Sequence, residues 1–223
     1  MKPSVLVRSE IIAFGATKLH GDLGLPREAK GVVLFAHGSG SGRLSPRNRF
    51  VAQTLQQRGL ATLLLDLLEE READDRRKVF DIDLLADRLL GATVWLRQQP
   101  ATADLPLGYF GASTGAGAAL QAAARMPEAV AAVVSRGGRP DLAMPWLARV
   151  TAPTLLIVGG HDWPVIEMNQ EALAKLICPK ELIIVPGATH LFEEPGTLER
   201  AADHAGEWFK QHLTRARIHA RHA

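Results

Sequence analysis

Apolar runs that alternate with helix-like segments constrain the fold of this 223-residue chain more than any other feature. Helical spacing of apolar residues follows most of the runs, at 47–58, 81–98, 115–126, 167–177 and 197–213. Short apolar strands without polar alternation, each followed by a helix, are typical of parallel strands covered on both faces. The sequence therefore predicts an open, doubly wound α/β sheet with helices on both sides. Its strands are expected at 31–36, 61–67, 107–112, 130–135, 154–159 and 181–185.

The ends of the chain extend this plan. Residues 5–14 and 18–25 precede the first of these strands and are predicted to add antiparallel edge strands. No repeat, low-complexity tract or linker divides the chain, so we expect one domain over residues 1–223, with a basic, flexible tail at about 214–223. The charged stretch 69–78 (EEREADDRRK) is expected to be a solvated, mobile surface segment.

Composition excludes several classes of function. The 26 Lys and Arg residues exceed the 24 Asp and Glu residues by two, and much of this excess lies in the last nine residues, so no basic stripe for nucleic acid is expected. Cys178 is the only cysteine, which excludes an intrachain disulfide and a cysteine-based metal site. No stretch approaches the roughly 20 apolar residues of a membrane helix. Arg8 and Glu10 interrupt any secretory leader, so we expect a cytoplasmic protein without membrane contact.

A serine lies at a predicted turn from strand to helix. Residues 111–115 (GASTG) match G-x-S-x-G, in which the two glycines allow the sharp turn and the serine hydroxyl projects from it. Ser113 is therefore the candidate nucleophile. The same glycines also fit the dinucleotide fingerprint of short-chain dehydrogenases, but that motif follows the first strand of its fold. The single tyrosine, Tyr109, cannot supply the Tyr-x-x-x-Lys of those enzymes, so this alternative is disfavoured.

A serine nucleophile needs a base and a group that orients the base. His190 follows the last predicted strand, and Asp162 follows the strand before it. Both loops belong to the carboxyl edge of the sheet, where Ser113 is expected. The order Ser113, Asp162, His190 is the order of an α/β-hydrolase triad. Asp66 is kept as a weaker candidate for the orienting acid.

A glycine-rich loop, residues 37–42 (HGSGSG), follows the first strand of the parallel series. It does not fit a P-loop, because no G-x-x-x-x-G-K-[ST] can be drawn through it. Its exposed N–H groups suit a developing negative charge, so the backbone N–H of Ser39 is a candidate oxyanion donor. The backbone N–H of Thr114, at the N-terminus of the helix after Ser113, is the other candidate donor. His37 is expected to order this loop by hydrogen bonding.

These motifs, with GGHD-x-x-V (159–165) and PGATHLF (186–192), resemble the α/β-hydrolase superfamily and, within it, dienelactone hydrolase-like esterases. The resemblance runs from about residue 31 to 213. It implies the hydrolase fold, an acyl-enzyme mechanism and no cofactor. The sequence itself has no inserted lid domain, only the stretch 69–78, and no metal site is expected. Dienelactone hydrolases proper carry cysteine as the nucleophile, whereas residue 113 is serine, and this departure separates the chain from that lactonase chemistry.

Four residues near these motifs are candidates for substrate binding. Arg136 and Arg139 follow the strand after the Ser113 helix and suit a carboxylate or phosphate, although structural pairing with Asp141 or another loop carboxylate is the favoured interpretation. Arg43 and Arg47 are possible contributors. Trp163 and Leu191 flank Asp162 and His190 and are predicted to wall an acyl pocket, with core packing as the alternative.

Two functions follow from this sequence. The first is a serine hydrolase of small carboxylic esters or lactones, with peroxyacid formation by the same residues as a side reaction. The second is a low-turnover binding or regulatory module that captures an anionic ligand at the loop of Arg136 and Arg139. The expected partner is in both cases a small molecule, and the chain is either a monomer or a homodimer.

Overall fold

The computed structural model describes residues 4–219, with the backbone alone for residues 214–219. It contains one eight-stranded sheet with the order β1-β2-β4-β3-β5-β6-β7-β8. Strands β1 and β2 are antiparallel, and the pairs from β4 to β8 are parallel. The predicted doubly wound α/β sheet and its antiparallel N-terminal edge are thus confirmed. The strands are β1 Val5–Phe14, β2 Thr17–Pro26, β3 Val32–Ala36, β4 Ala61–Leu65, β5 Leu107–Ala112, β6 Val130–Arg136, β7 Thr154–Gly159 and β8 Lys180–Val185.

Helices cover both faces of the sheet. The α-helices are α1 Pro46–Gln57, α2 Glu70–Ala73, α3 Arg76–Val79, α4 Ile82–Gln98, α5 Thr114–Arg125, α6 Trp163–Lys175 and α7 Thr197–His219, and a 3-10 helix spans Pro140–Arg149. Side chains of α1 and α7 pack on one face around Phe35 and Phe110. Those of α4, α5 and α6 pack on the other face around Leu34 and Tyr109. Because β3 and β5 contribute buried residues to both faces, their sequences are apolar without alternation.

Helix boundaries depart from the sequence prediction at three places. Helix α6 begins at Trp163, four residues before its predicted start, because Asp162 and Pro164 stand at its N-terminus. The 3-10 helix was not predicted, since Pro145 interrupts its pattern. Helix α7 continues to His219, so the predicted tail overlaps it at 214–219, and residues 220–223 lie outside the described residues.

The charged stretch 69–78 is largely exposed, as its composition predicts, but it is helical and has one buried side chain. It folds into α2 and α3, and the side chain of Glu72 is buried. Arg88 of α4 contacts both carboxylate oxygens of Glu72, at 3.1 and 3.2 Å, and Lys78 Nζ contacts the same carboxylate at 2.9 Å. The segment is therefore held against α4 by a buried ion pair. No helix among residues 4–219 is long and apolar enough to cross a membrane.

Candidate active site

Ser113 lies in a strained turn between β5 and α5. Its φ is +50° and its ψ is −124°, a conformation that residues other than glycine rarely adopt. Gly115 permits this turn, because a Cβ there would lie 2.3 Å from the carbonyl oxygen of Ala36 and 2.4 Å from that of His37. The first turn of α5 can therefore approach the end of β3 only with glycine at this position.

The loops after β7 and β8 bring an imidazole and a carboxylate to this serine. His190 Nε2 lies 3.3 Å from Ser113 Oγ. His190 Nδ1 lies 2.6 Å from Asp162 Oδ2. The three groups predicted from the sequence thus form one hydrogen-bonded chain. The alternative acid is occupied elsewhere, because Asp66 accepts hydrogen bonds from the Arg43 backbone N–H at 2.7 Å and from Arg43 Nη1 at 2.6 Å.

The glycine-rich loop lies directly beside Ser113. The N–H of Ser39 donates to Thr114 Oγ1 at 3.0 Å, so this candidate oxyanion donor has a side-chain acceptor in the resting site. Thr114 is the first residue of α5, where a backbone N–H has no partner within the helix. His37 orders the loop as predicted: its Nδ1 lies 2.9 Å from the Gly38 carbonyl, and its Nε2 accepts the Leu67 N–H at 3.0 Å. Desolvation by burial lowers the pKa of His37, which keeps this imidazole neutral.

Two cavities meet at the glycine-rich loop, and Gly38, Ser39 and Ser41 line both. The smaller one, of about 190 Å³, contains Ser113 and His190 and is called here the serine cavity. The larger one, of about 570 Å³, is called here the outer cavity. Its polar wall includes His20, Arg43, Asp66 and Glu70, and its apolar wall consists of Leu68, Ala73, Val79 and Leu85. Residues of α2 and α3 therefore contribute to the site, which the charged composition of this stretch did not indicate.

An arginine without a carboxylate partner lines the serine cavity. Arg136 is only 7% exposed, and its Nε and Nη1 atoms have no hydrogen-bond partner among the described residues. Its guanidinium lies over the ring of Phe192, with Cζ 5.6 Å from the ring centroid. Desolvation by burial, with the positive charge of Arg47 as a smaller cause, lowers the pKa of Arg136 to about 10. A buried cation of this kind favours an anion in the cavity.

The other residues predicted to bind substrate lie in different environments. Leu191 lines the serine cavity. Arg139 instead forms a bidentate pair with Asp141, at 2.9 and 2.8 Å, which corrects its assignment to substrate and supports the structural alternative. Trp163 is 69% exposed and lines neither cavity, which contradicts the expectation of an acyl-pocket wall. Trp163 is the first residue of α6, and the buried side of that helix begins at Val165.

Asn48 also lines the site, although its sequence pattern did not predict it. This residue lies in the first turn of α1, is buried, and lines the serine cavity beside Arg47. Its Oδ1 atom has no hydrogen-bond partner among the described residues. A polar residue on the otherwise apolar buried side of α1, with Val51, Ala52 and Leu55, was the available signal.

The sheet, the strained serine turn and the hydrogen-bonded Ser113, His190 and Asp162 define an α/β-hydrolase. Est1E from Butyrivibrio proteoclasticus shares this fold, with a TM-score of 0.79, 16% identity, and coverage of 91% of this chain and 98% of that chain. The chain belongs to the dienelactone hydrolase family, whose model matches residues 19–214, and it is a hydrolase of that type. A dienelactone hydrolase from Anabaena variabilis is 58% identical, with a TM-score of 0.90 over 96% of this chain and 100% of that one.

Two curated proteins of Mycobacterium tuberculosis are also similar. Each is 58% identical over 202 residues, and each is named "Putative phosphoribosyl transferase". The match covers 91% of this chain but 46% of each relative. The chain thus spans about half the length of these relatives.

Proposed function

We propose that this chain is a serine hydrolase that cleaves small carboxylic esters or lactones through an acyl-enzyme on Ser113. The observation that carries the proposal is the continuous hydrogen-bonded chain from Ser113 Oγ through His190 to Asp162, with distances of 3.3 and 2.6 Å. A hydroxyl becomes an effective nucleophile when a positioned base removes its proton. The carboxylate of Asp162 orients the imidazole and stabilises its protonated form.

The reaction has two half-reactions. Ser113 Oγ attacks the carbonyl carbon while His190 Nε2 accepts the hydroxyl proton, and His190 then returns this proton to the leaving alkoxide. The product of this first half is an ester of Ser113 and the substrate acyl group. Water then attacks that ester, His190 accepts a proton from the water, and the proton passes back to Ser113 Oγ as the carboxylic acid leaves.

The developing oxyanion is held by the backbone N–H groups of Thr114 and Ser39. The Thr114 N–H is free of an intrahelical partner, which supports this role. The Ser39 N–H can bind the oxyanion when the Thr114 side chain rotates away, or it is shared between Thr114 Oγ1 and the oxyanion. Removal of one such donor costs about a hundredfold or more in turnover.

Replacement of the nucleophile tests the proposal. Ser113→Ala is expected to lower turnover of a chromogenic ester panel by ~10³ or more, because the three residues act as a unit. A fluorophosphonate probe is expected to label Ser113 in the wild type, with the modified residue located by peptide mass spectrometry. The matched control, Ser4→Ala, removes an exposed hydroxyl outside the site and keeps wild-type turnover. Unchanged turnover in purified, folded Ser113→Ala would contradict the mechanism.

We further propose that an anionic group of the substrate binds in the serine cavity beside Arg136. The unpartnered Nε and Nη1 atoms of this buried guanidinium support the proposal. Arg47, which also lines the cavity, adds a second positive charge, although Glu193 contacts its Nη1 at 2.9 Å. Charge-assisted hydrogen bonds from guanidinium to carboxylate or phosphate are strong and geometrically specific.

A pair of esters tests this preference. The wild type is expected to hydrolyse the 4-nitrophenyl half-ester of glutarate with a higher kcat/KM than neutral 4-nitrophenyl pentanoate. Arg136→Met should lower kcat/KM for the half-ester by roughly 10- to 100-fold, because a hydrogen-bonded charge pair is lost. Its effect on the pentanoate ester should stay within about threefold. Equal losses of kcat/KM on both esters would show that Arg136 supports the site without distinguishing anionic from neutral substrates.

The alternative is a low-turnover binding module of the same fold. Because Arg139 is occupied by Asp141, capture of an anion would depend on Arg136. Absence of probe labelling at Ser113, together with binding of glutarate by calorimetry, would favour this alternative. Peroxyacid formation is distinguished by adding peroxide to the ester assay.

Phosphoribosyl transfer is not proposed for this chain. The name belongs to relatives of which the chain spans 46%, and residues 19–214 match the dienelactone hydrolase model. The residues that meet in the serine cavity suit acyl transfer, as derived above. We therefore propose hydrolysis for this chain. Phosphoribosyl transfer is named only for the longer relatives.

A further inference from the structure

Strand β1 leaves a long edge of the sheet open. It has ten residues and, among the described strands, pairs only with β2. Three apolar side chains on it are exposed: Leu6 at 53%, Val7 at 60% and Ile11 at 60%. A long edge strand with exposed apolar side chains is a template for pairing with another chain. Strands β2, β4 and β3 separate β1 from β5, which Ser113 follows. An inference about β1 therefore does not depend on the proposed hydrolase chemistry.

We infer that β1 pairs antiparallel with β1 of a second copy of this chain, centred on Ser9. In this register Arg8 lies opposite Glu10 of the other copy, and the two-fold axis repeats the contact. Val7 lies opposite Ile11 in the same way, so two exposed apolar residues cover each other. Residues directly opposite in an antiparallel pair point to the same face and interact. Neither Arg8 nor Glu10 has an ion-pair partner within residues 4–219.

The charges select this register over its neighbours. A two-fold axis perpendicular to the sheet keeps each residue on its own face, so the centre can move only from one residue to the next. Centring on residue 8 would place Arg8 opposite Arg8, and centring on residue 10 would place Glu10 opposite Glu10. Like charges directly opposite one another destabilise a strand pair. The sequence order Arg8-Ser9-Glu10 is therefore self-complementary in one arrangement.

Charged side chains can also protect an edge strand from association, and a charge exchange separates the two roles. In light scattering and sedimentation of the full chain, we expect a dimer of twice 24.1 kDa that dissociates on dilution. Arg8→Glu and Glu10→Arg should each weaken dimerisation roughly tenfold or more, because two attractive contacts become repulsive. The double variant Arg8→Glu/Glu10→Arg should recover wild-type dimerisation. Circular dichroism and ester turnover check that each variant is folded.

A cross-link provides a second measurement that does not depend on charge. Ser9→Cys places two thiols opposite each other at the axis, within the Cα separation that a disulfide needs. Oxidation should give a covalent dimer. The matched control, Ala13→Cys, is also exposed but lies about 25 Å from its copy in this register and should give no covalent dimer. The only native cysteine, Cys178, is buried.

Three results would overturn the inference. The first is a wild-type chain that remains monomeric at about 100 μM, where even weak β-pairing of this kind is populated. The second is a dimer whose dissociation constant does not respond to Arg8→Glu, or is not restored in the double variant. The third is equal cross-linking of Ser9→Cys and Ala13→Cys. A dimer insensitive to these changes would place the interface elsewhere on the molecule.

Discussion

Arg136 carries a buried charge that lowers the stability of the protein. Its guanidinium is buried beside Ser113 and has two unpartnered nitrogen atoms among the described residues. The lowered pKa of Arg136 means that the folded state disfavours its charged form, so the cost is present in full at neutral pH. The proposed anion would offset this cost on binding.

Arg136→Met is therefore expected to stabilise the protein while it lowers turnover of anionic esters. Methionine fills similar space without a desolvated charge, and we expect a gain of about 1 kcal/mol or more, equivalent to roughly 2–4 °C in Tm. Thermal unfolding followed by circular dichroism measures this. The control, Arg139→Met, removes an arginine that already has a carboxylate partner, and should leave Tm unchanged or slightly lower. A lower Tm for Arg136→Met than for Arg139→Met would contradict the argument.

At the scale of elements, the short helices α2 and α3 owe their position to one buried carboxylate. Burial opposes ionisation of Glu72, but hydrogen bonds from Lys78 and from the Glu69 N–H, with the charge of Arg88, outweigh it and lower its pKa. The pair therefore stabilises the folded state above the ordinary glutamate pKa, and this contribution is lost as pH falls through the lowered folded value. Ala73 and Val79 of these helices line the outer cavity, so this ion pair also maintains the cavity wall.

Glu72→Gln is expected to destabilise the protein by about 3 kcal/mol at pH 7, because Arg88 remains buried without its counter-charge. Urea unfolding at pH 7 and pH 3 measures the effect. The wild type should lose stability between these values, and the variant should lose less, since it lacks the titrating carboxylate. Glu70→Gln in the same helix provides the control, because Glu70 has no ion pair among the described residues. Equal pH dependence in wild type and Glu72→Gln would show that this carboxylate does not govern acid stability.

The helices and strands also show which features of the fold can be predicted from sequence patterns. Strands such as Leu107–Ala112 and Thr154–Gly159 fall at their predicted bounds, because apolar runs between turn residues are local signals. The meeting of Ser113, His190 and Asp162 follows from topology, since each comes directly after a parallel strand. The burial of Glu72 could not be predicted, because it depends on Arg88 in another helix. The exposure of Trp163 likewise depends on which side of α6 meets the sheet.

For the whole molecule, the central strands connect the two cores. Buried side chains of β3 and β5 alternate between the cluster under α4 and α5 and the cluster under α1 and α7. Neither cluster can lose its packing without exposing these shared strands. This arrangement predicts that the two faces unfold together, as expected of the single domain predicted from the sequence.

Coincident unfolding transitions are the expected result. Trp95 and Trp146 pack on one face and Trp208 on the other, so their fluorescence reports on both clusters. Denaturation curves from a variant that keeps only Trp208 and from one that lacks only Trp208 should have the same midpoint as far-UV circular dichroism. The fourth tryptophan, Trp163, is exposed and contributes little change. Two separated midpoints would indicate independent units.

The presence of two cavities at the glycine-rich loop has a consequence for engineering the substrate specificity of this protein. Gly38 and Ser39 line both cavities, whereas Arg136 lines only the serine cavity and Val79 and Leu85 line only the outer cavity. Enlarging the outer cavity, for example with Val79→Ala, should admit bulkier ester groups and leave the charge preference proposed for Arg136 unchanged. Substitutions in the two cavities would then change the preference for substrate size and the preference for substrate charge independently.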